Sequence, residues 1–406
     1  MTEKTPRVKQ IVQQRVIRPI AEFTHSQASG GVLLLICTFI ALVLANSPWS
    51  EGYFHFWEME FGFRLLEPTS NHTLAEIFNR QDTLHYWIND GLMAIFFLLV
   101  GLEIKREMLV GELSSPKNAA LPIMAAVGGM AVPALIYVLM NDGAGLKGWA
   151  TPMATDIAFS LGILALLGSK APLSLKVFLT ALAIVDDLGA VMVIALFYSA
   201  EINMVALGTA GAITVGLILL NMMGMRKLWP YLFLGFFLWW AFRVSGVHAT
   251  IAGVVLALTI PTKVRLNAPD FLARGRSLLD RFEQSKTVDE SQALLSEERQ
   301  AALHAIEKSC EDVQMPLQRL EHNLHTPVNF IIMPIFALAN AGVSLAGVGV
   351  EQLTQPVTIG TAAGLFFGKG IGIMLFAWLA VKIGMAVLPK RISWTHILGV
   401  SFLAGI

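Results

Sequence analysis

Hydrophobic residues in this chain gather in long, nearly unbroken blocks, unlike the alternating or three-to-four spacing of half-buried soluble elements. Eight blocks run near 28–48, 88–109, 120–140, 149–168, 172–200, 202–222, 228–244 and 247–260. A polar stretch of about 65 residues follows, and three more blocks lie near 327–347, 356–388 and 394–406. Most approach the roughly 20 residues that a helix needs to cross a bilayer. The eighth is short, and the last runs to the end of the chain. The pattern predicts an all-α polytopic membrane protein with about eleven spans begun, the last incomplete. It divides the chain into a tail at 1–27, spans 1–8 within 28–260, a loop at 261–325 and spans 9–11 within 326–406.

Two segments between spans have their own patterns. Residues 49–87 are aromatic and polar, with the alternating stretch FHFWEMEFGF, which fits either an external β-hairpin or an irregular loop. Residues 263–320 mix charges at helical spacing (LLSEERQAALHAIEKSCEDV), which predicts a solvated amphipathic helix rather than a domain.

Composition agrees with the pattern. Hydrophobic residues make up 55% of the chain and charged ones only 14%, against about a quarter charged in soluble domains. Zero net charge gives no reason to expect a nucleic-acid partner. Two cysteines, Cys37 and Cys310, cannot build a disulfide framework and read as free thiols. The polar, basic stretch Met1–Gln27 is too long for a signal peptide, so the first block stays as an anchor. Basic residues then orient the chain. Lys4, Arg7, Lys9, Arg15 and Arg18 precede the first span, and the pairs Lys105–Arg106, Lys170–Lys176, Arg226–Lys227 and Lys390–Arg391 recur on alternate loops. The N-terminus is therefore expected on the cytoplasmic side.

Against this background four charged residues lie well inside apolar blocks: Asp156 in GWATPMATDIAFSLG, Asp186 and Asp187 in LTALAIVDDLGAVMVIALF, and Lys369 in GLFFGKGIGIMLF. A carboxylate at the bilayer centre costs about 2.5–3.5 kcal/mol on insertion scales, so each needs a reason. Adjacent helix positions point about 100° apart, so one aspartate can face a wet cavity while the other meets a neighbouring helix. Interacting carboxylates and an ammonium titrate as a coupled set, and burial disfavours the charged form of each. Deprotonated, the aspartates offer hard oxygen ligands to a small hard cation. One site would hold either the cation or protons. The bland alternative is an Asp–Lys369 ion pair that only tethers two helices. Pro152, with Thr151 and Thr155 beside it, interrupts its span. This fits an unwound segment lining a cavity, where Asp156 compensates a half-helix end, or a simple proline kink.

Other candidates are less specific. Asp90 and Glu103 flank the second span, with Lys105, Arg106 and Glu107 at its inner end, where they either line a cytoplasmic mouth or solvate a helix end. His248 reads as a packing histidine before a ligand. Glu321, His322 and His325 form EHNLH, which is not a zinc-protease motif. Histidines there either sense pH near neutrality or simply begin a polar helix.

The stretches WINDGLMAIFFLLVGLEIKREML, ATDIAFSLGILALLGSKAPLSLKVFLTALAIVDDLGAV, SGVHATIAG, RLEHNLHTPVNFIIMPIFALANAGVSL and FGKGIGI resemble the NhaA family of bacterial Na⁺/H⁺ antiporters. The likeness runs from about Ala28 to the last residue, apart from parts of the two long loops. It implies a fold of inverted repeats with two broken crossing helices and twelve spans in full, this chain stopping inside the second broken helix. If the remainder were truly absent, the site would lack one wall. By position in the motifs, Asp186 and Asp187 are the cation- and proton-binding pair, and Asp187 is the more direct ligand. Asp156 and Thr155 are broken-helix residues, and Lys369 pairs with Asp186 or compensates the half-helix ends. Glu103 and Glu107 line the cytoplasmic funnel, and Glu321, His322 and His325 sense pH there. The 49–87 region is the hairpin through which two copies dimerise. The implied protein is a cofactor-free, electrogenic inner-membrane transporter of Na⁺ or Li⁺ against H⁺, not an enzyme. An intramembrane aspartyl protease leaves Lys369 and the second aspartate unexplained, and an ion channel is disfavoured by a buried lysine beside the carboxylates. The loop at 261–320 is longer than the family's usual connection.

Overall fold

The computed structural model describes residues 29–61, 82–153, 155, 160, 163–164, 171–198, 202–264, 266–284, 297–389 and 392–405. The tail at 1–27, Asp156 and most of the fourth block lie outside the described residues, as do Lys390 and Arg391. The helices follow the apolar blocks: α1 Ser29–Ala45, α2 Ser50–Glu58, α3 Leu84–Val110, α4 Pro116–Met140, α5 Leu173–Phe197, α6 Met204–Met222, α7 Leu228–Ser245 and α8 Ile251–Thr259. Next come α9 Ala268–Gln284, α10 Glu297–Val313, α11 Pro316–Pro327, α12 Met333–Asn340, α13 Pro356–Ile383 and α14 Trp394–Leu403. A wide π turn, Val328–Ile332, joins α11 to α12. By length and hydropathy α3, α4, α5, α6 and α13 can each cross a bilayer, and α1 and α2, bent by 113°, qualify as a pair. The protein is an all-α polytopic membrane protein. Its outer face says so directly: Val205 is 80% exposed and Leu196 74%, as lipid contact requires.

Buried residues sort into two main cores. One draws on α3, α6, α7, α8 and α11 around Leu102, Leu217, Tyr231, Leu238 and Ile260. The other joins α4, α5, α13 and α14 around Leu121, Leu179, Leu182, Ile373 and Ile397. Val100 and Ile104 on α3 meet Ile184 on α5, linking the two. Within the second core α4 and α13 approach to backbone contact at Gly128 and Gly372, where a Cβ on either would overlap the other's carbonyl oxygen.

Three elements differ from the sequence pattern. The alternation at 54–63 does not begin as a strand: α2 runs to Glu58, and among the described residues Glu60–Phe61 and Asp82–Thr83 pair, as the short antiparallel strands β1 and β2. The residues between them, 62–81, lie outside the described set. The polar loop holds two packed helices, α9 and α10, rather than one, with Leu278 and Ala302 buried. The ninth block starts as a helix at Pro316, eleven residues before the apolar run, so that Glu321 and His325 sit on a formed helix.

Candidate functional site

Beside the second core three buried polar side chains meet. Asp186 on α5 is 1% exposed, Lys369 on α13 is 0% exposed, and Thr155 is 8% exposed. Lys369 Nζ donates to both Asp186 Oδ2 and Thr155 Oγ1. Thr155 Oγ1 lies 2.7 Å from Asp186 Oδ2 and 2.8 Å from the Ala404 carbonyl. One hydroxyl proton serves only one acceptor at a time. The hydroxyl therefore has two competing acceptors, Asp186 Oδ2 and the Ala404 carbonyl.

Local sequence explains why these groups meet. Lys369 follows a π turn at Gly364–Gly368, an insertion of the kind that re-aims side chains at functional sites. Gly368 rides on Pro133 of α4, where a Cβ would come within 2.7 Å of the proline Cα. Hydroxyls of the fourth block answer the last carbonyls of α14 and its cap: Ser160 donates to Leu403 at 3.0 Å and Thr155 to Ala404 at 2.8 Å.

Chemically the site is an ion pair with room for more charge. Asp186 Oδ1 is buried and has no hydrogen-bond partner among the described residues. Asp187, the next residue, is half-buried, and its charge is felt at the Lys369 ammonium. Among the described residues two carboxylates, Asp186 and Asp187, stand against one ammonium, an arrangement that a proton or a monovalent cation can neutralise. The donors are hard oxygens, the set that suits an alkali ion.

A second charged cluster joins α3 to α11. His325 Nε2 lies 3.2 Å from Glu103 Oε1, and Arg106 bridges Glu321 Oε1 at 3.0 Å and Glu107 Oε1 at 3.1 Å. Burial pushes the Glu321 carboxyl above the usual glutamate range, against the pull of Arg106. The hydrogen bond to Glu103 pushes His325 above the ordinary imidazole value, against its burial. His322 does not join them: it is exposed and makes no side-chain bond among the described residues.

The structure thus brings Asp186, Thr155 and Lys369 together, sets Asp187 beside them, and gathers Glu103, Glu107, Glu321 and His325 elsewhere. Asp156 lies outside the described residues. His248 is exposed rather than packed. Lys105 is not a solvated end but caps α8, donating to the Leu258 carbonyl at 2.7 Å. Sequence reading missed Ser160, whose hydroxyl in an apolar block was the available signal. It also missed the ion pair of Asp82 with Arg243, whose guanidinium lies over the rings of Tyr86 and Trp240, 5.0 and 4.9 Å from their centroids. Nothing in local spacing links residues so far apart.

Residues 21–406 match the model of the family described as Na+/H+ antiporter 1. The chain is 49% identical over 397 residues to a Na(+)/H(+) antiporter NhaA of Koribacter versatilis, covering 96% of this chain and 82% of the relative. It is 49% identical over 393 residues to Na(+)/H(+) antiporter NhaA 2 of Syntrophotalea carbinolica, covering 96% and 86%. A Na(+)/H(+) antiporter NhaA of Sulfurimonas denitrificans is 45% identical over 399 residues, covering 97% and 86%.

Proposed function

Because the chain belongs to the Na+/H+ antiporter 1 family, we propose that its exchange of sodium for protons runs through one buried aspartate site, at which the two ions compete. The protein is a multi-pass membrane transporter and not an enzyme. The observation that carries the mechanism is the wholly buried Asp186–Lys369 pair with the orphaned Asp186 Oδ1 and the adjacent Asp187. Asp187 is the more direct cation ligand, and Asp186 exchanges its lysine partner for a proton or for a share of the cation. Thr155 follows the charge by changing acceptors, and Asp156 compensates the end of the interrupted segment.

Alternating access opens this site to one side at a time. More protons than cations move per cycle, so exchange is electrogenic and the membrane potential helps to drive it. Lithium is carried as well as sodium. Glu103 and Glu107 draw cations to the cytoplasmic mouth, while Glu321 and His325 adjust the response to pH, with His322 at the rim. The protein resides in the bacterial inner membrane with its N-terminus in the cytoplasm, and two copies associate through the 49–87 region. Its work is sodium and pH homeostasis.

Purified protein in liposomes with an internal proton gradient tests the whole reading. Added Na⁺ or Li⁺ should dissipate ΔpH, K⁺ should do so far less, and clamping the membrane potential should change the rate. Dissipation equal for all three ions, or insensitive to potential, would contradict it.

A further inference from the structure

We propose that Glu103, Glu321 and His325 also form a binding site for a transition-metal dication, with zinc the best fit. The proposal does not rest on the exchange mechanism. Glu321 and His325 are four apart on α11 and so share a face, and that face meets α3 at Glu103. One donor atom from each of the three lies within 4.8 Å of the others. Two ligands of a tetrahedral ion with bonds of about 2.0–2.1 Å stand roughly 3.3 Å apart. His325 Nε2 and Glu103 Oε1 are already 3.2 Å apart, so the ion can replace the hydrogen between them with almost no movement. Glu321, with a carboxylate oxygen within 4.8 Å of both other donors, supplies the third corner.

The donor set is one imidazole and two carboxylates, which selects zinc-like ions over alkali cations, since imidazole is a poor ligand for sodium. Three protein ligands leave a fourth position for water. Charge favours a dication too: Glu107 and Glu321 share the one guanidinium of Arg106, and Glu103 lies against the His325 imidazole. Arg106 occupies Glu321 Oε1, which leaves Oε2 for the metal and holds the carboxylate in orientation, the role that hydrogen-bond partners of metal ligands commonly play. Access is open, because the His325 side chain is 46% exposed while Glu103 and Glu321 behind it are 19% and 10% exposed.

The test is a zinc titration of tag-free, full-length protein in detergent, read by competition with a chromophoric chelator. The wild type should bind one Zn²⁺ per chain at micromolar concentration. His325→Gln and Glu103→Gln should each weaken binding by about tenfold or more, whereas His322→Gln, which alters the exposed neighbour, should leave it intact. Cobalt bound to the wild type should give a visible absorption band that His325→Gln loses, a readout that does not depend on transport. The proposal is overturned if no stoichiometric zinc binds, if both ligand variants bind it as the wild type does, or if His322→Gln removes it. None of these outcomes bears on sodium/proton exchange, which the liposome assay reads separately.

Discussion

At the scale of single residues, burial decides what each charge can do. Lys369 and Asp186 exclude water almost completely, so removing one leaves the other without a counter-charge. Breaking a buried pair typically costs about 3–5 kcal/mol, unless the survivor becomes neutral. Lys369→Ala should therefore leave Asp186 holding a proton, and the variant should melt at a higher temperature in acid than in alkali. Thermal melting in detergent across pH checks this, and a flat profile would argue against the pair's being charged. Thr155→Val removes a hydroxyl that links Lys369, Asp186 and Ala404. Leaving such groups unmatched costs about 1–3 kcal/mol, and exchange should slow with it. Wild-type stability and rate in this variant would reduce Thr155 to packing.

At the scale of elements, two helix contacts matter most. The α4–α13 seam closes because Gly128 and Gly372 have no side chains to keep the backbones apart, which holds α13 and its lysine against the site. Gly128→Val should cost about 1–3 kcal/mol of overpacking, while Gly208→Val, with nothing within 4 Å of its Cβ position, should melt as the wild type does. The α3–α11 contact is the pH-dependent one. Because Glu103 raises His325, the charged tie is fully present below about pH 6.5, the ordinary imidazole value, and is lost as pH rises through the raised value in the folded protein. Glu321, also raised, gains its charge only at a higher pH than a solvated glutamate. Alkalinisation thus unties His325 from Glu103 and charges Glu321 beside Arg106. His325→Gln should move the activation profile toward acid pH and should erase the wild type's advantage in melting temperature at acid pH. Rate–pH curves that superimpose would return the cluster to a structural role.

At the scale of the whole molecule, the all-α membrane architecture was legible because lipid demands unbroken apolar runs, and Asp186, Asp187 and Lys369 stood out because charge in such runs is rare. Their mutual contact was not legible from spacing: Asp186 and Lys369 are 183 positions apart, and an Asp–Lys369 pair was one of two readings that the buried charges allowed, with the resemblance pointing to Asp186 as the partner. Helix ends were harder, since α11 begins in polar sequence where its amphipathic face packs on α3, which a hydropathy reading does not register. The single solvated helix expected after α8 became two, α9 and α10, which pack together with Leu278 and Ala302 buried. Two cores are joined by a smaller contact between α3 and α5, at Val100, Ile104 and Ile184, close in sequence to Asp186 and Asp187.

Competition between protons and sodium at those aspartates is the central claim, and sodium binding measured against pH tests it most directly. By calorimetry on purified protein, the apparent Na⁺ affinity should fall about tenfold per pH unit for each proton displaced on the acid side. Asp187→Asn should abolish binding. A sodium affinity that is independent of pH, or retained in Asp187→Asn, would contradict the account.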